Sequence, residues 1–352
     1  MEFTSYDDII GYCEQQVLNF KGEMDRWNGV LRVSLNPDSR YYFKIAVSLC
    51  FSSYSKTLTV PTTNAIFFNG DKIQGTGNAL IEKLSNLQNI ADILVSKLGV
   101  SVNAWVIEAS NFNGPFAVYN EFFGSINSYG EPKSYDPSGF PSSALISLLL
   151  LRALEEAKRQ ILGKQEHVPT LGDDASCFNQ PETIIFGFSK GGTVLNQLVT
   201  ELTFSKLETL EMGTKKRENS RAVSTYEIHG QNQIIPDSKE KLLNSISQFH
   251  YVDVGLNSSG AYLTDSLVIE RIVKRVLVGV AGIRFVLHGT PRQWCDNRRA
   301  WIRDEMEKLF QLLQDAELKT EGKLQAVRRI YFADQPPNLQ MHFEIIENLD
   351  IG

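Results

Sequence analysis

A nucleophilic turn is written into Gly187-Phe188-Ser189-Lys190-Gly191. The apolar run Ile184-Ile185-Phe186 leads into it, and a helical stripe containing Val194, Leu195 and Leu198 leads away from Thr193. Strand, Gly-x-Ser-x-Gly turn and helix make a nucleophile elbow, in which a tight turn strains the serine backbone and exposes its Oγ. Glycines flank the serine because a Cβ there would strike the neighbouring strand or helix. The plainer alternative is a serine tolerated in a glycine-rich turn. The N–H of Lys190, at the helix start, suits an oxyanion. Its side chain is out of character, since a cation there opposes the helix dipole. It is expected either to pair with a carboxylate or to meet an acidic substrate.

An activated serine needs a base within hydrogen-bond reach and a carboxylate that orients the base. The chain has five histidines. His167 and His229 fall in polar stretches and His250 begins a strand pattern, which leaves His288 and His342. His342 follows the last strand pattern in a proline-containing loop and is the expected base, with His288 the alternative. Asp296 follows the penultimate strand and precedes His342, which makes it the expected acid. Asp253, at the end of the preceding strand, is the alternative, and Asp265 and Asp334 are residual candidates. Such carboxylates otherwise serve as turn or helix-cap residues. The expected triad is therefore Ser189, Asp296 and His342. Gly70 and Asp71 end a strand in the region where a second oxyanion-hole N–H belongs; the alternative is an ordinary strand-end turn.

These residues need a scaffold that delivers them to one edge. Periodicity predicts a helix over residues 1–27, then strands over 30–35 and 41–51 joined by the turn Asn36-Pro37-Asp38-Ser39. Further strands are expected at 64–71, 102–109, 184–188, 249–255, 283–289 and 326–332. Helices are expected near 78–98, 142–161, 193–204, 264–276 and 298–318. Strands alternating with helices predict an α/β fold with a largely parallel sheet and active groups at its carboxyl ends. Residues 110–141 carry eight aromatics and read as an ordered cap or pocket wall facing an apolar or aromatic group. Residues 205–245 read as a polar insertion, and Lys215-Lys216-Arg217 within it as a solvated loop. One domain over 1–352 accommodates all of this.

The composition is that of a globular protein, 42% hydrophobic and 22% charged. A net charge of −6 with no basic stripe argues against nucleic acid as a partner. Cys13, Cys50, Cys177 and Cys295 form no CxxC pair, so reduced thiols are expected and a zinc site is not. The expected chemistry needs no metal or cofactor. No apolar stretch reaches spanning length, the run 145–151 included. The acidic amino terminus is unlike a signal or transit peptide, and a cytoplasmic location is the expectation from residues alone.

The chain resembles the eukaryotic family typified by chromosome 2 open reading frame 69, mitochondrial proteins with an esterase-like domain. The resemblance is carried by Phe67-Phe68-Asn69-Gly70-Asp71, by Gly187-Phe188-Ser189-Lys190-Gly191 with Val194 to Leu198, by His288-Gly289-Thr290-Pro291 with Asp296, and by Asn338 to Phe343. It implies an α/β-hydrolase-like fold, a triad on Ser189, Asp296 and His342, and a link to mitochondrial energy metabolism. Two functions are open. The first is an ester or thioester hydrolase acting on a small-molecule acyl substrate. The second is a catalytically silent protein of the same shape that binds a protein partner.

Overall fold

The computed structural model describes residues 25–35, 42–73, 75–163, 180–205, 234–279 and 281–352. The expected helix over residues 1–24, the turn at 36–39, His167, His229 and the stretch 206–233 lie outside the described residues.

The central strands are buried at nearly every position, as in a sheet covered on both faces. Its strands are β1 (Asp25–Val33), β2 (Phe43–Ser52), β3 (Thr57–Leu58), β4 (Thr63–Phe68), β5 (Val102–Ile107), β8 (Glu182–Phe188), β9 (Ile246–Val252), β10 (Ile283–Gly289) and β11 (Leu324–Ile330). A separate hairpin pairs β6 (Asn111–Asn113) with β7 (Phe116–Val118). The sheet runs β1-β2-β5-β4-β8-β9-β10-β11, with β3 on β2. Strand β2 is antiparallel to β1 and β5, and every pairing from β5 to β11 is parallel.

Successive side chains leave a strand on opposite faces. Ile66 and Phe68 of β4 accordingly join one core, while Ala65 and Phe67 join the other. The second core is closed by helices α1 (Ala79–Leu84), α2 (Leu87–Leu98) and α9 (Leu339–Asn348). The first is closed mainly by α3 (Pro141–Leu162), α4 (Gly192–Leu202), α5 (Lys239–Ser245), α6 (Ser266–Leu277) and α8 (Ala300–Lys319). A short helix, α7 (Pro291–Trp294), follows β10. After β4 the chain goes to β5 on one side and β8 on the other. In open α/β sheets, ligands bind outside the carboxyl ends of strands at such a reversal. This arrangement is an α/β-hydrolase-like fold.

Several local expectations are corrected. Asp25 to Trp27 are strand rather than helix, because β1 pairs along its whole length with β2 and Arg26 donates to Ser48 and Val102 carbonyls. The helix expected over 78–98 breaks in two, because Asn86 restarts it by accepting from the Gln88 N–H at 2.9 Å. Residues 234–245 do not belong to a polar insertion: Ile234, Ile235, Leu242 and Leu243 are buried, and the Ile234 carbonyl accepts from Asn64 Nδ2. The loop expected around His342 is helix α9, capped by Asn338, whose side chain accepts from the Met341 N–H.

Candidate active site

Strand β8 ends at Phe188, and a 3₁₀ turn over Ser189–Gly191 feeds α4. Ser189 has φ 53°, a left-handed conformation that costs a non-glycine residue about 1–3 kcal/mol and persists only where its surroundings enforce it. The glycines explain the enforcement. A Cβ on Gly191 would lie 2.1 Å from the Phe68 carbonyl oxygen, and one on Gly187 2.7 Å from the Gly192 Cα. The strand-to-helix turn therefore packs backbone against backbone, at the carboxyl end of β4. The Gly70 loop lies there too: a Cβ on Gly70 would stand 2.5 Å from the Ser189 Cβ.

The base and acid come from far along the chain. His342, in the first turn of α9, has its Nδ1 2.6 Å from Asp253 Oδ2. Phe188 holds the imidazole face, with ring centroids 4.6 Å apart. Asp253 is fully buried immediately beyond β9, at φ 44°. Its Oδ1 accepts from the Thr290 N–H at 2.7 Å and its Oδ2 from the Thr290 hydroxyl at 3.0 Å. The loop after β10 thus clamps the carboxylate that faces His342. Among the described residues no hydrogen bond joins Ser189 Oγ to His342, but both line one cavity of about 420 Å³.

Asp296 does not face His342. Its side chain accepts from the Arg298 N–H and from Arg299 Nε, each at 3.0 Å, and caps the short turn before α8. Burial alone would raise its pKa, but these donors and the two arginine charges bring it below the usual carboxylate value. The expected grouping of Ser189, Asp296 and His342 is therefore corrected to one with Asp253 against the imidazole. Asp265 caps α6, and Asp334 is exposed.

His288 is also engaged elsewhere. Its Nε2 lies 3.0 Å from His250 Nδ1, and its Nδ1 lies 2.9 Å from the Tyr331 hydroxyl. Burial pushes His288 down to about 3, with the Arg329 and Arg284 charges adding to the effect. Burial likewise drives His250 well below the ordinary histidine value, and the neighbouring His288 assists. Both imidazoles are neutral structural groups in this packing.

Lys190 resolves its own oddity by pairing with a carboxylate. Its buried Nζ lies 3.3 Å from Glu131 Oε1 and 4.7 Å above the Phe116 ring. Glu131, also buried, accepts from the Asn257 and Ser258 N–H groups and the Ser258 hydroxyl. One carboxylate thereby ties the 110–141 segment to the elbow and to the loop after β9. That segment is less a pocket wall than expected. Phe116 lines the cavity, whereas Tyr119, Phe122 and Phe123 are buried in the first core. Asp71 lines the cavity too; burial raises its carboxyl, opposed by the Lys190 charge and the Ala117 N–H it accepts from.

Glu131 and Thr290 escape sequence reasoning. Thr290 stands in the His288-Gly289-Thr290-Pro291 stretch, where nothing in the sequence assigns it to a carboxylate. Nothing in the local pattern at Glu131 signals a buried ion pair. Among the described residues, no group of three or more His, Cys, Asp or Glu could hold a metal ion.

The strand order and the elbow define the class: a protein of α/β-hydrolase-like fold. The resemblance to the C2orf69 family stands as well, since the sequence model of that family matches residues 221–319. The chain is 25% identical over 297 residues to the mouse protein named mitochondrial protein C2orf69 homolog, covering 74% of this chain and 69% of that one. The zebrafish homologue is 25% identical over 248 residues, 69% of this chain and 59% of its own. The human mitochondrial protein C2orf69 is 22% identical over 330 residues, 82% and 74% of the two chains. Among solved structures, a siderophore hydrolase, EstA, from Aspergillus nidulans is similar over 92% of this chain and 95% of that chain, at 12% identity and a TM-score of 0.44. A ferulic acid esterase is similar over 92% and 96%, at 11% identity and a TM-score of 0.41. The fold assignment rests on the strand order, not on these two likenesses. No helix among the described residues is long and apolar enough to cross a membrane.

Proposed function

We propose that the chain is a serine hydrolase of small esters or thioesters, with Ser189 as nucleophile, His342 as base and Asp253 as the orienting acid. The observation that carries this reading is the 2.6 Å contact of His342 Nδ1 with buried Asp253, in a cavity shared with the strained Ser189. With Nδ1–H donated to Asp253, Nε2 keeps a lone pair for the serine proton. Ser189 Oγ attacks the acyl carbonyl, and its proton passes to His342 Nε2. The carbonyl oxygen becomes an oxyanion held by the Lys190 N–H and by an N–H of the Gly70–Asp71 loop. Collapse expels the alcohol or thiol, which takes the proton from Nε2. Water then enters, gives a proton to Nε2 and releases the acid, and Ser189 recovers its proton.

The second reading, a silent protein that binds a partner linked to energy metabolism, draws on the missing Ser189–His342 hydrogen bond. That bond is often long or misaligned without substrate and tightens only in the reacting complex, so the hydrolase reading is preferred. The relatives' names favour a mitochondrial location over the cytoplasmic one expected from the acidic terminus. The test of function is a fluorophosphonate probe, which is expected to label the wild type and not Ser189→Ala. A folded wild type that takes no label contradicts the reading.

A further inference from the structure

Among the charged side chains that line the cavity, cations outnumber carboxylates. Its lining contributes Lys190, Arg292, Arg298 and Arg299 against Asp71 and Asp296. Lys190 is taken by Glu131 and Arg299 by Asp296. Arg298 is exposed and, among the described residues, its guanidinium forms no ion pair within 4 Å, although its charge helps lower Asp296. Arg292 is different. It is half-buried in α7, its guanidinium has no acceptor among the described residues, and its Nε is fully buried with no partner. A buried donor without an acceptor carries an uncompensated desolvation cost, and a guanidinium with no acceptor among the described residues is free to take an anionic oxygen at its remaining N–H groups.

Its position is set by the site itself. Arg292 lies two residues beyond Thr290, whose N–H and hydroxyl hold Asp253, which in turn holds His342. Arg292 is thus carried on the clamp that orients the proposed base, and it is among the residues that line the same cavity as Ser189. Guanidinium is a planar fork matched to carboxylate and phosphate oxygens. The remaining lining includes Ile73, Phe116, Leu256 and Leu339, which suit a short apolar linker. We propose, resting on the hydrolase reading, that the substrate is a small acyl ester or thioester bearing a carboxylate or phosphate, and that Arg292 binds that anion and sets specificity.

The test compares matched pairs of esters. Mono-p-nitrophenyl glutarate against p-nitrophenyl pentanoate places a carboxylate on the acyl side. Similarly, 4-acetoxyphenyl phosphate against 4-methylphenyl acetate places a phosphate on the leaving side. In at least one pair kcat/KM is expected to favour the anionic ester by about 10- to 100-fold, the range of a charge-assisted hydrogen bond. Arg292→Gln should erase that ratio chiefly through KM, and Arg292→Lys should restore part of it. Ratios near one in both pairs, or a preference that survives Arg292→Gln, would overturn the proposal while leaving the hydrolase intact. If none of the four esters turns over and the fluorophosphonate fails to label, the hydrolase reading falls. Calorimetric binding of glutarate and phenyl phosphate then decides the anion site: binding lost in Arg292→Gln supports it, and no binding or Arg292-independent binding overturns it.

Discussion

Replacing Asp253 by asparagine removes a single charge and keeps the side-chain shape, yet the surrounding donors leave the amide no good orientation. Oδ1 receives the Thr290 N–H, and Oδ2 receives both the Thr290 hydroxyl and His342 Nδ1. If the new NH₂ takes the Oδ1 position, it faces the Thr290 N–H donor to donor, where no water reaches. An unmatched buried group of that kind costs about 1–3 kcal/mol. If it takes the Oδ2 position, it donates to Nδ1 and drives the imidazole proton to Nε2, so His342 can no longer accept from Ser189. A wrong tautomer of this type costs about 10⁴-fold in turnover in a serine protease triad. Asp296→Asn is the matched control. Asparagine caps a helix start as well as aspartate, and the ion pair it loses with Arg299 is of the partly exposed kind worth about 0–1 kcal/mol. The assay is kcat/KM on an activated ester together with the fluorophosphonate labelling rate, with a thermal melt to verify folding. Asp253→Asn is expected to lose about 10³- to 10⁴-fold in both, and Asp296→Asn less than about threefold, under 1 kcal/mol. A folded Asp253→Asn that keeps its rate, or an Asp296→Asn that loses it, refutes the argument.

Two stability predictions follow from the buried charges and imidazoles. Glu131→Ala leaves the Lys190 cation buried without its carboxylate and should cost about 3–5 kcal/mol in denaturant unfolding. Adding Lys190→Met to it should recover part of that loss, and a cost below about 1 kcal/mol for the single change would contradict a structural ion pair. His288 has a folded pKa of about 3 against about 6.5 for the unfolded residue. Below pH 6.5 the unfolded chain therefore binds a proton that the folded one refuses, and stability falls as pH drops towards 3. The slope is about 1.4 kcal/mol per pH unit for one such group. His288→Gln, compared with wild type by urea unfolding at pH 7 and pH 5, should show a shallower loss; identical pH slopes would contradict a neutral buried imidazole.

Whatever depends on neighbours in sequence is legible in the sequence itself. The elbow could be read because strand, glycines and helix stripe are contiguous, and the Gly70 turn because a strand runs straight into it. His342 is legible from its place after the last strand, whereas the Asn338 cap that makes its surroundings helix α9 rather than a loop is a weaker local signal. The partner of His342 was not legible. Asp253 and Asp296 both follow strands, and what separates them is a contact spanning 89 residues and the Thr290 clamp from a third loop. Asp296 fills the cap role that is the ordinary alternative for such a carboxylate, as an aspartate just ahead of a helix with two arginines beside it. The aromatics of 110–141 are ambiguous for a similar reason: type marks them as packing groups, but only the fold decides that Tyr119 and Phe122 pack against Phe68 in the core while Phe116 meets the cavity.

Activation of Ser189 by His342 is read out by intact-mass analysis after fluorophosphonate treatment, with peptide mapping of the adduct. One adduct on Ser189 in the wild type, absent from Ser189→Ala and slowed about 10³-fold or more in a folded His342→Ala, is the predicted result. An unmodified wild type, an adduct elsewhere, or equal labelling of His342→Ala would contradict it.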